Sequence, residues 1–369
     1  MDKKKWIRHL PLYILELVVL VAAIGALYFI IHATKAQKQQ INDEDIAVNE
    51  EVRQQLQDGT DSEDEQYSGK TNLSGVYQIA LFGVDARDGS LGKGNRSDTI
   101  MICTVDADTH EVKLISIYRD TYLNLGNDSY NKCNAAYAKG GPTQAISMIN
   151  KNTDLYITDY ITVGFEGLIK AVDALGGVEI DVTEKEIPHL NNYQISMVGT
   201  SEDGVNYTAE EGSYIPVTEA GLQTLNGLQA TAYCRIRYIG DDFQRAERQR
   251  DLITAMIEKS KTASFSELRQ AAEAVFPYVS TSLDINDIFT MLGVVGDYQV
   301  TVSDGFPFAG MRNGGTKAGV GAFVVPIDLE ANVVRLHELL FDEESYEPSA
   351  EVKEYSQIIQ DDTDAYLKY

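Results

Sequence analysis

The chain has 369 residues, 44% of them hydrophobic, and a formal net charge of −25. This length allows one large domain or two small ones, and the apolar content is sufficient for a core. An acidic surface repels phosphate backbones, so the charge argues against nucleic acid as a partner. The cysteines show no Cys-x-x-Cys spacing, and no histidine lies near the arginine-rich segment described below, so a zinc site or a histidine-based triad is poorly supported.

The chain begins with a candidate membrane span. Leu10 to Ile31 is an apolar run with a single ionisable side chain, Glu16. A helix of that length would span roughly 33 Å, enough for the hydrocarbon core of a bilayer. Basic residues precede the run, so the positive-inside rule places residues 1–9 in the cytoplasm and exports the rest. We predict a transmembrane helix at residues 10–32; a cleaved signal peptide is the alternative, although no Ala-x-Ala site follows the run.

Two acidic segments flank the predicted folded body at residues 75–341. Residues 33–74 are rich in Gln, Asn, Asp and Glu, and we predict an extracytoplasmic acidic linker that is solvated. The pattern also allows a short polar helix around Ile46–Leu56. Residues 342–369 are predicted to be an acidic disordered tail for the same reason.

Apolar runs of strand length and amphipathic segments interleave between these two segments. This order predicts a layered α/β/α domain with a mixed central sheet and helices on both faces. A helix from Ala135 should stop at Gly140-Gly141-Pro142 and restart at Thr143. The predicted strands are Val76–Val84, Thr99–Val105, Val112–Ile117, Tyr156–Val163 and Val178–Val182. The other predicted helices are Phe165–Leu175, 219–225, 243–261, 265–276, 284–293 and 328–340.

The segment Tyr233–Arg250 is the exception to the acidic composition, since it contains five arginines and no lysine. Alternation with apolar residues predicts that Arg235 and Arg237 share one face of a strand. Asp241 or Asp242 then caps a helix that carries Arg245, Arg248, Gln249 and Arg250. A guanidinium is a planar, permanently charged group that matches phosphate oxygens. The segment therefore predicts an anion site, and surface ion pairs with Asp241, Asp242 and Glu247 are the alternative.

Acidic residues flank the first two predicted strands. Asp85 follows the first strand and Asp98 precedes the second, so both carboxylates lie at one edge of the sheet if these strands are neighbours. Two carboxylates with phosphate oxygens and water form a typical Mg²⁺ shell, while turn or capping roles are the alternative. Arg119 comes just past the end of the third strand, where ligands bind in open α/β sheets. The glycine-rich loop before Asp98 lacks the Gly-Lys-Ser/Thr ending of a P-loop.

Six segments in this order resemble the LytR-CpsA-Psr family, over about Ile79 to Lys259. They are Gly-Val-Asp-Ala-Arg87, Asn-Arg-Ser-Asp-Thr99, Tyr-Arg-Asp-Thr121, Asn-Ala-Ala-Tyr-Ala-Lys-Gly-Gly141, Val-Asp-Ala-Leu-Gly-Gly-Val178, and Leu225-Asn-Gly-Leu-Gln-Ala through Arg-Gln-Arg250. The resemblance implies a membrane-anchored extracytoplasmic phosphotransferase. Such an enzyme moves a glycopolymer from a polyprenyl-(pyro)phosphate carrier to a muramic-acid hydroxyl of peptidoglycan and releases lipid phosphate.

The resemblance also implies roles for individual residues. Asp85 and Asp98 match the family's magnesium-associated acids, where manganese could replace Mg²⁺, and Arg96 matches the arginine of the preceding loop. Tyr118 stands where the family commonly has proline. The phosphate-binding set comprises Arg119, Arg235, Arg237, Arg245 and Gln249. Asp85, Arg96, Asp98 and Arg119 are the candidate catalytic residues.

Several alternatives remain open at this stage. Asp98, Asp120 or Asp242 could serve as general base, and Leu252, Met256 and the helix Phe165–Leu175 could line a slot for a polyprenyl tail or only pack in the core. Arg248 and Arg250 could be ordinary ion-pair residues. The chain could instead be a non-catalytic binding or regulatory protein, or a polyprenyl pyrophosphatase.

The cysteines allow two states on the extracytoplasmic side. Cys133 and Cys234 both belong to motifs around the predicted site. A Cys133–Cys234 disulfide would close a loop of about 100 residues, worth roughly 4–5 kcal/mol on the chain-entropy model. Three free, buried thiols are the alternative, with Cys103 on a strand in the core.

Overall fold

The computed structural model describes residues 41–59, 76–86, 89–343 and 345–367. The predicted cytoplasmic residues 1–9 and the predicted transmembrane helix at 10–32 lie outside these ranges. Within them, no helix has both the length and the hydrophobicity needed to cross a bilayer.

Helices and strands alternate along most of the described chain. The helices are α1 (Glu50–Gly59), α2 (Asn134–Thr153), α3 (Phe165–Ala174), α4 (Ile187–Val198), α5 (Gly227–Tyr233), α6 (Asp242–Lys261), α7 (Phe265–Val275), α8 (Ile285–Gly293), α9 (Leu329–Phe341) and α10 (Ala350–Thr363). The strands are β1 (Val76–Val84), β2 (Ser97–Asp106), β3 (Glu111–Ile117), β4 (Tyr122–Asn124), β5 (Tyr130–Lys132), β6 (Asp159–Val163), β7 (Val178–Val182), β8 (Gly221–Leu225), β9 (Val279–Thr281), β10 (Gln299–Phe306), β11 (Arg312–Lys317) and β12 (Gly321–Pro326). The predicted break in α2 is confirmed, because Gly141 has a φ of 67° and Pro142 follows it.

A six-stranded sheet in the order β10-β3-β2-β1-β6-β9 forms the centre of the domain. β1 pairs antiparallel with β2 and parallel with β6, so the sheet is mixed, as predicted. Side chains alternate across the pleat: Phe82 and Ile102 pack in a core that contains residues of α2, α9 and α10. On the other face Met101 and Leu114 pack with Ile253 of α6. The layered α/β/α prediction is confirmed.

A smaller sheet of β7 and β8 builds a lobe beside the main sheet. Residues 219–225 were predicted to be helical, but residues 221–225 form β8, in which Leu225 pairs with Val178. Burial alternates along this strand, so Leu222 is exposed and Leu225 is buried. The helix begins only at α5, where the Asn226 side chain accepts a hydrogen bond from the Gln229 backbone N–H. The prediction was wrong because cross-strand pairing with β7 outweighs the local helix preference.

Both flanking acidic segments contribute to the folded domain. The solvated linker predicted at residues 33–74 packs on the body between residues 41 and 52, where Ile46 is 1% exposed. The disordered tail predicted at residues 342–369 contains α10, which buries Val352, Tyr355 and Ile359. Acidic composition concealed their i, i+3, i+7 spacing, which is typical of an amphipathic helix.

A single buried carboxylate joins the two ends of the described chain. The Asn49 side-chain amide donates to Asp154 Oδ1 at 2.6 Å, and the Ser349 backbone N–H donates to Asp154 Oδ2 at 2.8 Å. A buried carboxylate with these charge-assisted hydrogen bonds fixes both segments to the end of α2. The folded domain therefore extends beyond the predicted limits of 75 and 341.

Candidate active site

The two predicted acids meet at one edge of the central sheet. Gly83 pairs with Thr99 and Val84 with Ser97, so Asp98 is the additional residue of a β-bulge. A bulge redirects a side chain that a regular ladder would hold in the pleat. Asp85 follows β1 directly, and Asp85 and Asp98 line the same cavity. The prediction that both carboxylates lie at one edge is confirmed.

Three arginines from distant parts of the chain donate hydrogen bonds to Asp98. Arg119, just after β3, donates from Nη1 to Asp98 Oδ1 at 2.7 Å. Arg237 donates from Nη2 to Asp98 Oδ2 at 3.3 Å, and Arg245 donates from Nη2 to the Asp98 backbone oxygen at 3.3 Å. The arginine-rich segment and the end of β3 thus form one cationic cluster at Asp98.

Arg235 and Arg237 lie on a turn, so the predicted strand at this position is wrong. α5 ends at Tyr233, and the Ile236 backbone N–H donates to the Tyr233 carbonyl at 3.2 Å. The alternation of the sequence still has a structural meaning, because Ile236 is fully buried while Arg237 is exposed. The Arg235 guanidinium lies 4.5 Å from the centroid of the Phe165 ring, an arrangement typical of a cation–π contact.

The start of α6 places Asp242 between two arginines. Asp241 caps the helix, with its side chain accepting from the Phe243 and Gln244 backbone N–H groups, as predicted for one of the two aspartates. Asp242 Oδ1 lies 2.8 Å from Arg245 Nη2 and 3.5 Å from Arg119 Nε. Burial raises the pKa of the Asp242 carboxyl, although the two arginines oppose this shift.

Arg245 retains hydrogen-bonding capacity inside the cavity. Its side chain is 4% exposed, and Nε and Nη1 have no hydrogen-bond partner among the described residues. Burial lowers the pKa of Arg245 to about 10, although Asp242 raises it, so the guanidinium stays charged at neutral pH. A buried, charged donor without a partner is costly, and an anion in the cavity would satisfy it.

The cavity has a charged end and a long apolar wall. Its volume is about 580 Å³. The charged end comprises Asp85, Asp98, Arg119, Arg235, Arg237, Arg245 and Gln249. The apolar wall includes Leu81, Met101, Phe165, Leu168, Ala171, Leu252, Met256 and Val279. Every predicted phosphate-binding residue therefore lines this cavity, and so do the predicted slot residues Leu252 and Met256 with part of α3.

Comparison with known proteins identifies the family. Residues 30–303 match the model of the LytR_cpsA_psr family. The chain belongs to the LytR-CpsA-Psr family. It is 32% identical over 228 residues to the polyisoprenyl-teichoic acid–peptidoglycan teichoic acid transferase TagU of Oceanobacillus iheyensis. That match covers 59% of this chain and 62% of the relative, so the chain spans less than two thirds of that protein's length.

Two solved structures share the fold of this LytR-CpsA-Psr chain. B. subtilis TagV is 25% identical, with a TM-score of 0.55 over 72% of this chain and 98% of TagV. The family protein YwtF (TagT) with bound octaprenyl pyrophosphate lipid is 20% identical, with a TM-score of 0.53 over 75% of this chain and 95% of that one. The mixed central sheet with surrounding helices is thus the family's architecture.

Arg96 is not brought into the cluster. It is exposed in the loop before β2 and is absent from the residues that line the cavity. The family motif placed it two residues before Asp98, but the bulge turns Asp98 inward while Arg96 faces solvent. Tyr193 of α4 does line the cavity and was missed, because residues 187–198 show only a weak helical periodicity and few of their side chains are buried.

Tyr118, which replaces the proline common in the family, supports the arginine cluster. Its ring packs edge-on against Phe243 at 4.5 Å, directly after Asp242. Arg312 donates to the Tyr118 hydroxyl at 3.0 Å, and its guanidinium lies 3.8 Å from the Phe243 ring centroid. Arg312 of β11 therefore packs against the start of α6. The local sequence pattern did not predict this contact.

The suggested Cys133–Cys234 disulfide is absent. Both residues are free thiols and belong to different core clusters. Cys133 Sγ donates to the Tyr118 carbonyl at 3.2 Å, and Cys234 Sγ donates to the Arg248 carbonyl at 3.7 Å. Burial raises the pKa of both thiols, and it also raises the pKa of the partly buried Cys103, which favours the protonated thiol at all three positions.

Asp85 and Asp98 are the two carboxylates that the sequence assigned to a magnesium ion. No group of three or more His, Cys, Asp or Glu side chains among the described residues could hold a metal. Mg²⁺ is commonly bound by one or two carboxylates together with substrate phosphates. Asp85 and Asp98 would supply two such carboxylates, and Asp98 is already bonded to Arg119 and Arg237.

Proposed function

We propose that this chain is a membrane-anchored, extracytoplasmic phosphotransferase. It would move a glycopolymer from a polyprenyl-(pyro)phosphate carrier to a muramic-acid hydroxyl of peptidoglycan. The observation that carries the proposal is that one cavity is lined both by a cluster of arginines and by many apolar side chains. This lining suits a ligand with a diphosphate at one end and an isoprenoid chain at the other. The TagU relative, a teichoic acid–peptidoglycan transferase, supports the reaction type, and the TagT structure with octaprenyl pyrophosphate supports the ligand.

The membrane anchor is part of the same proposal. The apolar run at residues 10–32 would hold the domain at the outer face of the membrane in which an isoprenoid carrier resides. A reporter enzyme that folds only outside the cytoplasm should be active when it is fused after Tyr369. Activity of a reporter that works only in the cytoplasm, fused at the same position, would show that the domain lies on the cytoplasmic side.

In the proposed reaction, the charged residues around Asp98 hold the diphosphate of the donor. The hydroxyl oxygen of the acceptor attacks the phosphorus that carries the sugar and forms a new O–P bond, while the bond from that phosphorus to the bridging oxygen of the diphosphate breaks. The leaving group is polyprenyl phosphate, and the hydroxyl proton passes to a base. Arg119, Arg237 and Arg245 neutralise the charge on the oxygens, and such positioning and neutralisation supply most of the catalysis in phosphoryl transfer.

A magnesium ion would be held by Asp85 and Asp98 together with the substrate's phosphate oxygens. When bound, it supplies Lewis-acid polarisation of the phosphoryl oxygens. Asp98 would then orient the arginines and bind the ion, and Asp85 would be the second carboxylate ligand of the ion. Asp85→Asn should therefore raise the Mg²⁺ concentration needed for half-maximal transfer. Unchanged Mg²⁺ dependence in that variant would remove Asp85 from the proposed site.

The decisive experiment uses the purified protein, Mg²⁺, a lipid-linked glycan diphosphate and peptidoglycan oligomers. A covalent glycan–peptidoglycan product with stoichiometric lipid phosphate supports the transferase. Free glycan phosphate in the absence of that product would support a pyrophosphatase. Binding of the lipid with neither product would support a non-catalytic module.

A further inference from the structure

Three aromatic rings stack beside the cavity, and one of them, Tyr193, lines it. His189 and Tyr193 are four residues apart on α4 and therefore project from the same face of that helix. Tyr238, in the turn after α5, lies across both: the ring centroids are 5.9 Å apart for His189 and 6.5 Å apart for Tyr193. The interplanar angles are 24° and 23°, which are typical of offset stacking. We refer to these three residues as the aromatic platform.

The outer ring of the platform is unusually open to solvent. Tyr238 is 80% exposed, the largest exposure of any aromatic side chain among the exposed hydrophobic residues of the described chain. Its inner face contacts the other two rings, so the surface open to solvent is a broad aromatic face. Such a face is electron-rich and attracts the C–H groups on the apolar face of a sugar ring.

The platform is continuous with the arginine cluster. Arg237, the residue before Tyr238, donates to Asp98 at 3.3 Å. Tyr193 lines the cavity, and the Arg235 guanidinium lies 5.2 Å from the centroid of its ring. The turn therefore directs one side chain to the anion site and the next to the platform. A group covalently joined to a phosphate at Arg237 would lie next to Tyr238.

We propose that Tyr238, supported by Tyr193 and His189, is a stacking subsite for a pyranose ring next to the reacting phosphate. This inference rests on the proposed function, because the arginines must first hold a phosphate. The ring could belong to the glycan that the phosphate carries or to the acceptor glycan. In either case the platform recognises the sugar, whereas the arginines recognise the charge.

Calorimetric titration of the full chain with three soluble probes tests the subsite. The probes are N-acetylglucosamine 1-phosphate for the donor ring, an uncharged N-acetylglucosamine tetramer for the acceptor ring, and inorganic pyrophosphate for the anion site. Tyr238→Ala should weaken one of the two sugar probes about 3- to 10-fold, the range of an aromatic stacking contact, and change pyrophosphate less than about 2-fold. Tyr238→Phe, which keeps the ring, should bind both sugar probes as the unmodified chain does. Leu222→Ala removes another exposed apolar side chain of the same lobe, 69% exposed, and should change nothing.

The results distinguish a donor sugar from an acceptor sugar, and they distinguish failure of the subsite from failure of the proposed function. Loss of the sugar phosphate alone assigns the platform to the donor ring, and loss of the tetramer alone assigns it to the acceptor. An equal loss for pyrophosphate, or no loss for either sugar, overturns the subsite. If the unmodified chain fails to bind pyrophosphate, the proposed function fails and the subsite fails with it, whereas intact pyrophosphate binding with unchanged sugar binding in Tyr238→Ala overturns the subsite alone.

Discussion

Arg245 and Arg248 lie three residues apart on α6, and both are buried, yet they are satisfied in opposite ways. Arg248 donates from Nε to Glu186 Oε1 at 2.7 Å, and its other nitrogens reach the carbonyls of Ile236 and Ile239 at 3.3 Å. Arg245 shares Asp242 with Arg119 and leaves Nε and Nη1 without a partner in the described part of the chain. We call Arg248 the closed arginine, because each of its nitrogens has a partner within the protein. We call Arg245 the open arginine, because it lines the cavity with two nitrogens that lack a partner among the residues that the structure describes.

This difference separates a structural arginine from a ligand-binding one better than sequence or burial does. A buried ion pair with every donor used is a self-contained unit whose loss affects folding. A buried guanidinium that lines a cavity and has unused donors is maintained against its desolvation cost by the rest of the fold and is complete only with an anion bound. Arg250 donates to Ser303 Oγ at 3.0 Å, and its Nη1 also lacks a partner among the described residues, but Arg250 does not line the cavity. An unused donor therefore indicates a ligand site only where the guanidinium lines the cavity.

The largest expected effect is on the open arginine. Arg245→Ala should lower transfer at least about 10³-fold, because it removes a donor that stabilises charge in the transition state in a water-poor site. The assay is formation of glycan–peptidoglycan product, with circular dichroism to show that the fold persists. Arg269→Ala, which breaks an exposed pair with Glu273, is the matched control and should retain full activity. Near-normal transfer by the Arg245 variant would contradict the site assignment.

The closed pair should respond in stability rather than in chemistry. Glu186→Gln should cost about 3 kcal/mol of unfolding free energy, since it leaves the buried Arg248 charge without a counter-ion. Urea denaturation measures the loss, and activity per folded molecule should stay unchanged. Glu273→Gln, in the exposed pair, should cost less than about 0.5 kcal/mol. Equal costs for the two variants would mean that the Arg248 pair is not a closed unit.

The same pair predicts a pH dependence of stability. Burial alone would raise the pKa of Glu186, but hydrogen bonds from Arg248 and Thr183 hold it below its ordinary value of 4.5. A carboxyl with a lowered pKa in the folded state contributes stability above that ordinary value and loses it as the pH falls further. Unfolding free energy should therefore decline below about pH 4.5, and the Glu186→Gln variant should lack this part of the decline.

A smaller effect is expected at the apolar wall. Met256→Asp should weaken binding of octaprenyl pyrophosphate by at least about tenfold, because the lipid chain would then lie against a charge. Inorganic pyrophosphate should bind as before, since Met256 lies outside the arginine cluster. Ile327→Asp adds the same charge at a position that is 53% exposed and should leave both affinities unchanged. Loss of pyrophosphate binding as well would show that the two ends of the cavity are not independent.

The smallest effect concerns the thiols. Denatured, unreduced protein should contain three free thiols in a colorimetric titration, because Cys133 and Cys234 lie in separate core clusters. Reducing agent should shift the melting temperature by less than about 1 °C, whereas loss of a disulfide closing a loop of this length would destabilise by several kcal/mol. A count of one free thiol per chain would show that two of the three cysteines form a disulfide.

The sequence by itself determined the parts of this protein that depend on local pattern and on motif order. Strand-length apolar runs located β1, β2 and β3, and the Asp241 cap located the start of α6. The position of Asp85 after one strand and Asp98 before the next sufficed to place both acids at one edge, because neighbouring strands leave few arrangements. The arginine motifs indicated an anion site before any contact was known.

Tertiary structure alone decided what each of these residues touches. Arg245 and Arg248 have the same side chain and similar burial on one helix, and only the position of Glu186, 62 residues away, closes one of them. Long-range pairing with β7 made residues 221–225 a strand, and packing on Asp154 drew two acidic segments into the fold. These outcomes depend on contacts between residues distant in sequence, and a local pattern carries no information about which distant partner will satisfy a buried charge or an apolar face.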